Sequence, residues 1–130
     1  MAYERLVTEL CEQISVDPRE VLTTQHIMVG NQVVALIRPD DAESSFMAIL
    51  IELDQTFPDR DHDLYLRMLA TNAETHHSPG GSFCVNRQSG HAAWRSDIDL
   101  RGIATGAELA SHLSRTLATA REAFERLVFV

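Results

Sequence analysis

No lysine occurs anywhere in the chain, and its eleven basic residues are all arginine, set against 19 Asp and Glu for a formal charge of -8. Such a surface repels a phosphate backbone, so nucleic acid is not an expected partner. Cysteine is scarce as well. Cys11 and Cys84 stand in apolar contexts without CxxC spacing, which removes the disulfide-scaffold and paired-cysteine zinc classes and leaves two buried thiols of a reducing compartment. No run is apolar for long enough to be a signal peptide or a membrane span, so a cytoplasmic protein without membrane insertion is expected. HExxH, GxGxxG and the GxxxxGK phosphate loop are missing too, and the chemistries they carry have no anchor here.

What is present is ordinary globular material: 130 residues, 45% hydrophobic and 23% charged. That length fits one domain, residues 1–130, with a single core. Neither a repeat nor a low-complexity stretch nor an internal linker divides it.

Tyr3, Leu6, Val7, Leu10 and Ile14 recur at three- and four-residue intervals, which predicts a helix over Ala2 to Ser15. Asp17-Pro18 interrupts it, because proline lacks an amide proton and disfavours helix in the residue before it. A short connection is expected there. TTQHIMV and QVVALIR then flank Gly30-Asn31, the mark of a β-hairpin, and SFMAILIEL supplies a third strand. Both faces of this sheet are apolar: Val33, Ala35 and Ile37 alternate with Val34 and Leu36, and Phe46, Ala48 and Leu50 with Met47, Ile49, Ile51 and Leu53. A chain with so few helices is hard pressed to cover two such faces, so something outside it is expected to help.

Asp59, Asp61 and Asp63 precede a second helix, LYLRMLATNAET, and suit its N-terminus through capping and the helix dipole. Leu64, Tyr65, Leu66, Met68, Leu69 and Ala70 cover most of its circumference, so it is read as buried on two sides. SFCVN and HAAWR form a second hairpin. Pairing Asn86 with His91 sets Val85 against Ala92 and Phe83 against Trp94, leaving Cys84 and Ala93 on the other face. Thr105 and Glu108 have the spacing of a capping box, and Leu109, Leu113, Leu117, Ala120, Phe124 and Leu127 continue one helical stripe from it. The fold class is α+β, a twisted antiparallel sheet packed with helices in the order α-β-β-β-α-β-β-α.

Chemistry is sparse. His76-His77-Ser78 lacks the further ligands that would complete a metal site, and Asp59, Asp61 and Asp63 are read as helix-capping groups in preference to a metal site shared with His62. Cys84 and His91 sit one diagonal step apart, and an apolar strand raises a thiol's pKa instead of lowering it. Gly80-Gly81 leads into a strand where a phosphate loop would need a helix. No catalytic, metal or cofactor residue is assigned, and no enzyme is expected.

The segment LYLRMLATNAETHHSPGGSFCVN, followed by HAAW and the terminal LASHLSRTLATAREAFERL, resembles the class I type III secretion chaperones, the Tir-chaperone-like family. Acidity, length and element order agree along nearly the whole chain. Val85-Asn86 departs from a frequent Leu-Asp pair, and Asp17 to Thr24 from a leucine-rich approach to the first strand. The resemblance implies a bacterial, cytoplasmic homodimer that holds the extended N-terminal segment of a secreted effector and helps deliver it to the export apparatus, with the export ATPase as a further partner. On this reading Leu64, Leu66, Met68, Leu69, Phe83 and Trp94 contribute to the dimer interface. Leu6, Leu10, Ile14, Ile27, Val34, Leu36, Phe46 and Ala48 supply effector-binding surface. Two other readings stay open: an interaction adaptor or secretion regulator of the same fold, and a small-molecule-binding α+β domain with a compact cavity between the last helix and the second hairpin.

Overall fold

The computed structural model describes residues 2–41, 44–52, 62–74, 81–87 and 89–129. The expectations for Asp59, Asp61, His76, His77, Ser78 and Gly80 lie outside them.

Helix α1 spans Ala2–Ile14 and buries Tyr3, Leu6, Val7, Leu10 and Cys11. It ends as helices do when the chain turns left-handed: Ser15 has φ 59° and Val16 N–H reaches back to Cys11 C=O at 3.0 Å. The expected plain connection after it is corrected to a second helix, α2, Pro18–Thr24. Proline breaks a helix interior but suits the first turn, where its missing N–H would have no partner, and Asp17 caps that turn by accepting from Arg19 N–H at 3.0 Å.

Five strands follow: β1 His26–Val29, β2 Gln32–Ile37, β3 Phe46–Glu52, β4 Ser82–Val85 and β5 Ala92–Asp99. They form one antiparallel sheet in the order β1-β2-β3-β5-β4. Gly30-Asn31 closes the first hairpin with Val29 opposite Gln32, and Gly30 supplies the positive φ, 61°. The second hairpin has the expected register, Phe83 facing Trp94 and Cys84 facing Ala93. Its two rings meet edge to face, with centroids 4.9 Å apart and planes at 86°. β5 continues past the HAAWR segment to Asp99 and pairs with β3 from Ala93 to Asp99.

The register sorts the sheet's side chains into two populations. Ile27, Val34, Leu36, Met47, Ile49, Ile51, Trp94 and Ile98 share one face and are buried in the main core. Each such side chain stabilises the fold by roughly 1.5–3 kcal/mol through burial. Helices α1 and α4, the latter spanning Gly106–Phe129, contribute Leu6, Leu10, Leu109, Leu113 and Leu117 to the same core. Tyr3 donates its hydroxyl proton to Leu36 C=O, pinning α1 to β2.

Thr105 caps α4 by accepting from Glu108 N–H at 3.2 Å, and Glu108 accepts in return from Ala104 N–H at 3.0 Å. The return bond thus lands one residue before the capping residue's own amide. Glu9, from α1, accepts from Gly106 N–H at 3.0 Å. The two helices approach so closely here that a Cβ on Gly106 would stand 2.4 Å from Glu9 Cβ, so glycine is required. Helix α3, His62–Glu74, packs along β4, where the Asn72 amide donates to Phe83 C=O at 2.9 Å and accepts from Phe83 N–H at 2.7 Å.

Candidate functional site

The second face of the sheet has a floor of small side chains. Ala35 and Ala48 are buried there although neither points into the helix layer. Around them stand Met28, 58% exposed, Phe46, 52% exposed, Val33, 41% exposed, and the partly covered Ile37 and Leu50. This is a shallow apolar trough across β1, β2 and β3. Its boundary is electrostatic: β5 sets Arg95 beside Leu50, Asp97 beside Ala48 and Asp99 beside Phe46. Those charges are already paired. Arg95 meets Asp97 at 3.2 Å, while Asp99 accepts from Arg101 at 2.7 Å and from the Ser45 hydroxyl at 2.8 Å. The hydrogen bonds from Arg101 and Ser45 hold the Asp99 carboxyl far below the usual carboxylate range.

Beside the trough runs the outer edge of β1. Leu36 N–H bonds to Gln25 C=O at 2.8 Å, and because antiparallel bonding alternates, Ile27 and Val29 turn their amide groups toward β2. His26 and Met28 therefore turn theirs outward. His26 N–H is taken by the Thr24 hydroxyl at 3.3 Å, whereas Met28 N–H and C=O have no partner among the described residues. An exposed edge with an apolar trough next to it is the geometry that accepts an extended chain.

The sequence-derived effector set divides sharply on this frame. Leu6, Leu10, Ile27, Val34 and Leu36 lie in the intramolecular core, and Ala48 is the covered floor of the trough. Only Ile14 and Phe46 reach the surface. Met28 and Val33 are exposed apolar residues that the sequence reading passed over. Their signal was available: they face each other across the two-residue turn, out of phase with Ile27 and Val34.

The dimer set divides in the same way. Leu64 and Met68, four apart on α3, point into the core, and Phe83 and Trp94 meet there edge to face. Leu66 and Leu69 lie on the opposite side of the helix and are 63% and 66% exposed. The all-round apolarity of α3 thus resolves into one buried stripe and one bare one.

Among the described residues, groups suited to covalent or metal chemistry do not converge. Among the described residues no cluster of three or more His, Cys, Asp and Glu side chains could hold a metal ion. Burial raises the thiol pKa of both Cys11 and Cys84, with Arg95 partly opposing the effect at Cys84. Among the described residues, no helix is long and apolar enough to cross a membrane.

No curated protein matches the chain. Among solved structures it is similar to a chain of one described as "Structure of the HopA1-SchA Chaperone-Effector Complex", with 14% identity over 93% of this chain and 91% of that one and a TM-score of 0.64. That likeness establishes the fold. The family is fixed by the sequence itself, which matches the model of the Tir chaperone protein (CesT) family over residues 5–123, so the chain belongs to that family.

Proposed function

We propose that this type III secretion chaperone acts as a cytoplasmic homodimer that holds the extended N-terminal segment of a secreted effector in the trough of β1, β2 and β3. The observation that carries this reading is the trough itself. Phe46, Met28 and Val33 stand exposed around an alanine floor, next to a strand edge whose Met28 amide groups are unpaired among the described residues. An extended client can add its backbone to that edge and lay alternate apolar side chains over Ala35 and Ala48. Family and fold point to a non-enzymatic role. The bare side of α3, with Leu66 and Leu69, is the natural seat for a second copy. The export ATPase is a further partner of the loaded complex.

The test is co-expression with the product of the adjacent gene, followed by co-purification and limited proteolysis. A protected N-terminal fragment of that product is expected. Changing Phe46 to Asp should weaken capture roughly ten- to hundredfold, the value of burying one large apolar side chain, with the circular dichroism spectrum and the dimer unchanged. Undiminished capture by Phe46→Asp would remove the trough from the client site.

A further inference from the structure

The junction between α2 and β1 decides how much of the β1 edge is open. Gln25 carries the chain out of α2 in a left-handed conformation, φ 59°, which is unfavourable for a residue with a Cβ. It is held there at every polar position of its backbone and by its side chain. Its N–H donates to Val21 C=O at 2.7 Å, its C=O accepts from Leu36 N–H at 2.8 Å, and its Oε1 accepts from Arg38 N–H at 2.9 Å. Arg38 also donates from Nη2 to Leu22 C=O at 2.7 Å. The start of β1 is therefore fixed relative to the end of α2.

Thr24, the last residue of α2, stands at that fixed point. Its hydroxyl proton goes to Glu20 C=O at 3.1 Å, which leaves an oxygen lone pair to accept from His26 N–H at 3.3 Å. The outward amide at the start of β1 is thus taken from within the chain. At the far end of the strand Gly30, with φ 61°, turns the chain into β2. Between these limits His26 C=O, Met28 N–H and Met28 C=O face outward with no partner among the described residues. The side chains of His26 and Met28 are exposed on the trough face, Met28 directly opposite Val33.

We propose that Thr24 is a positioning residue for the client: by occupying His26 N–H it ends the open edge there and centres the client's backbone contact on Met28. This rests on the reading of the trough and the β1 edge as the client site. An antiparallel client exchanges both bonds with Met28, and its residue opposite His26 donates to His26 C=O but finds no amide for its own carbonyl. A parallel client bonds His26 C=O and Met28 N–H through the residue opposite Ile27, and Met28 C=O through the next residue but one. In either direction the strand contact stops at His26. The backbone is clipped where the exposed apolar surface of Met28 and Val33 begins, and the remaining affinity comes from side chains laid on the trough.

The test uses the full chain labelled with ¹⁵N and a short end-capped peptide of alternating leucine and threonine. With the unaltered chain, saturating peptide is expected to slow hydrogen exchange at the Met28 amide and to leave the His26 amide as it was. Thr24→Val keeps the branched shape and removes the hydroxyl. Its His26 amide should exchange faster in the free chain, become protected by the peptide, and accompany roughly two- to tenfold tighter binding, the value of one added neutral hydrogen bond. Thr24→Ser keeps the hydroxyl and should behave as the parent. A Met28 amide left unprotected, a Thr24→Val chain that binds no tighter with its His26 amide still open, or a Thr24→Ser chain that matches Thr24→Val would each overturn the proposal. Failure of the client reading is seen separately, as effector capture undiminished by Phe46→Asp. Capture that depends on Phe46, with Thr24→Val indistinguishable from the parent, removes the role of Thr24 and leaves the client site standing.

Discussion

Asn72 is the side chain whose removal should reveal how α3 is held to the sheet. Phe83 and Trp94 form a pair that exchanges no hydrogen bonds across β4 and β5, so Phe83 turns both its backbone groups to the outer edge of β4. The Asn72 amide meets both, donating to the carbonyl at 2.9 Å and accepting from the N–H at 2.7 Å, as a neighbouring strand would. Asn72→Ala removes two neutral bonds, each with a net value of about 0.5–1.5 kcal/mol, and leaves partly buried backbone groups unpaired. A loss of about 2–3 kcal/mol follows. For a chain of this size that lowers Tm by roughly 10 °C, measured at fixed protein concentration because any dimer makes Tm concentration-dependent. Asn72→Asp separates the two bonds. The new carboxylate still accepts from Phe83 N–H but sets its second oxygen against Phe83 C=O, which disfavours the charged form and raises that carboxyl's pKa in the folded state. A raised acid pKa means that the folded state holds the proton more tightly than the unfolded one, so the deficit should shrink as pH falls and grow as pH rises past the unfolded value near 4. Urea melts of the three proteins between pH 4 and pH 8 check this. A cost under about 0.5 kcal/mol for Asn72→Ala, or an Asn72→Asp deficit independent of pH, would refute the clamp.

Asp99 carries the opposite sign. Its folded-state pKa is depressed, so the stability it contributes is present above the ordinary carboxylate range and lost as pH falls through and below it. Asp99→Asn should therefore be less stable than the parent at pH 7 and approach it toward pH 3, which paired thermal melts can follow. On α3, changing Leu66 and Leu69 together to Asp should convert a dimer at micromolar concentration into a folded monomer by light scattering. A dimer unaffected by the double change would place the interface elsewhere.

Several elements were open to reading because local chemistry determines them. The Asn86–His91 closure sets the phase of the second hairpin, so Phe83 meets Trp94 as alternation requires. Thr105 and Glu108 mark the start of α4 by the spacing of their side chains. Helix α2 escaped because Asp17-Pro18 is ambiguous in sequence: the pair stops a helix that precedes it and starts one that follows it. The far half of β5 escaped for a different reason. Arg95, Asp97 and Asp99 look like a polar loop until Ser96 and Ile98 are seen to alternate with them into the core.

The site is harder than the fold because exposure is a contest between faces, and alternation names the faces without naming the winner. Every residue of β2 from Val33 to Ile37 is apolar, so period alone cannot say whether Val34 and Leu36 or Val33, Ala35 and Ile37 go inward. Side-chain size decides. Helices α1 and α4 need bulk to pack against, and Leu36, Met47, Ile49, Ile51 and Trp94 provide it on one face. The opposite face receives the alanines, Ala35, Ala48 and Ala93, which a neighbouring side chain or two can cover without a helix above them. Large apolar residues left on such a face, Met28, Val33 and Phe46, are then surplus to the monomer's own packing. The same argument applied to α3 retains Leu64 and Met68 and frees Leu66 and Leu69. A residue is therefore a candidate for partner contact when it is large, apolar and out of phase with the bulky face, a criterion that assigns Leu6, Leu10, Val34 and Leu36 to the core.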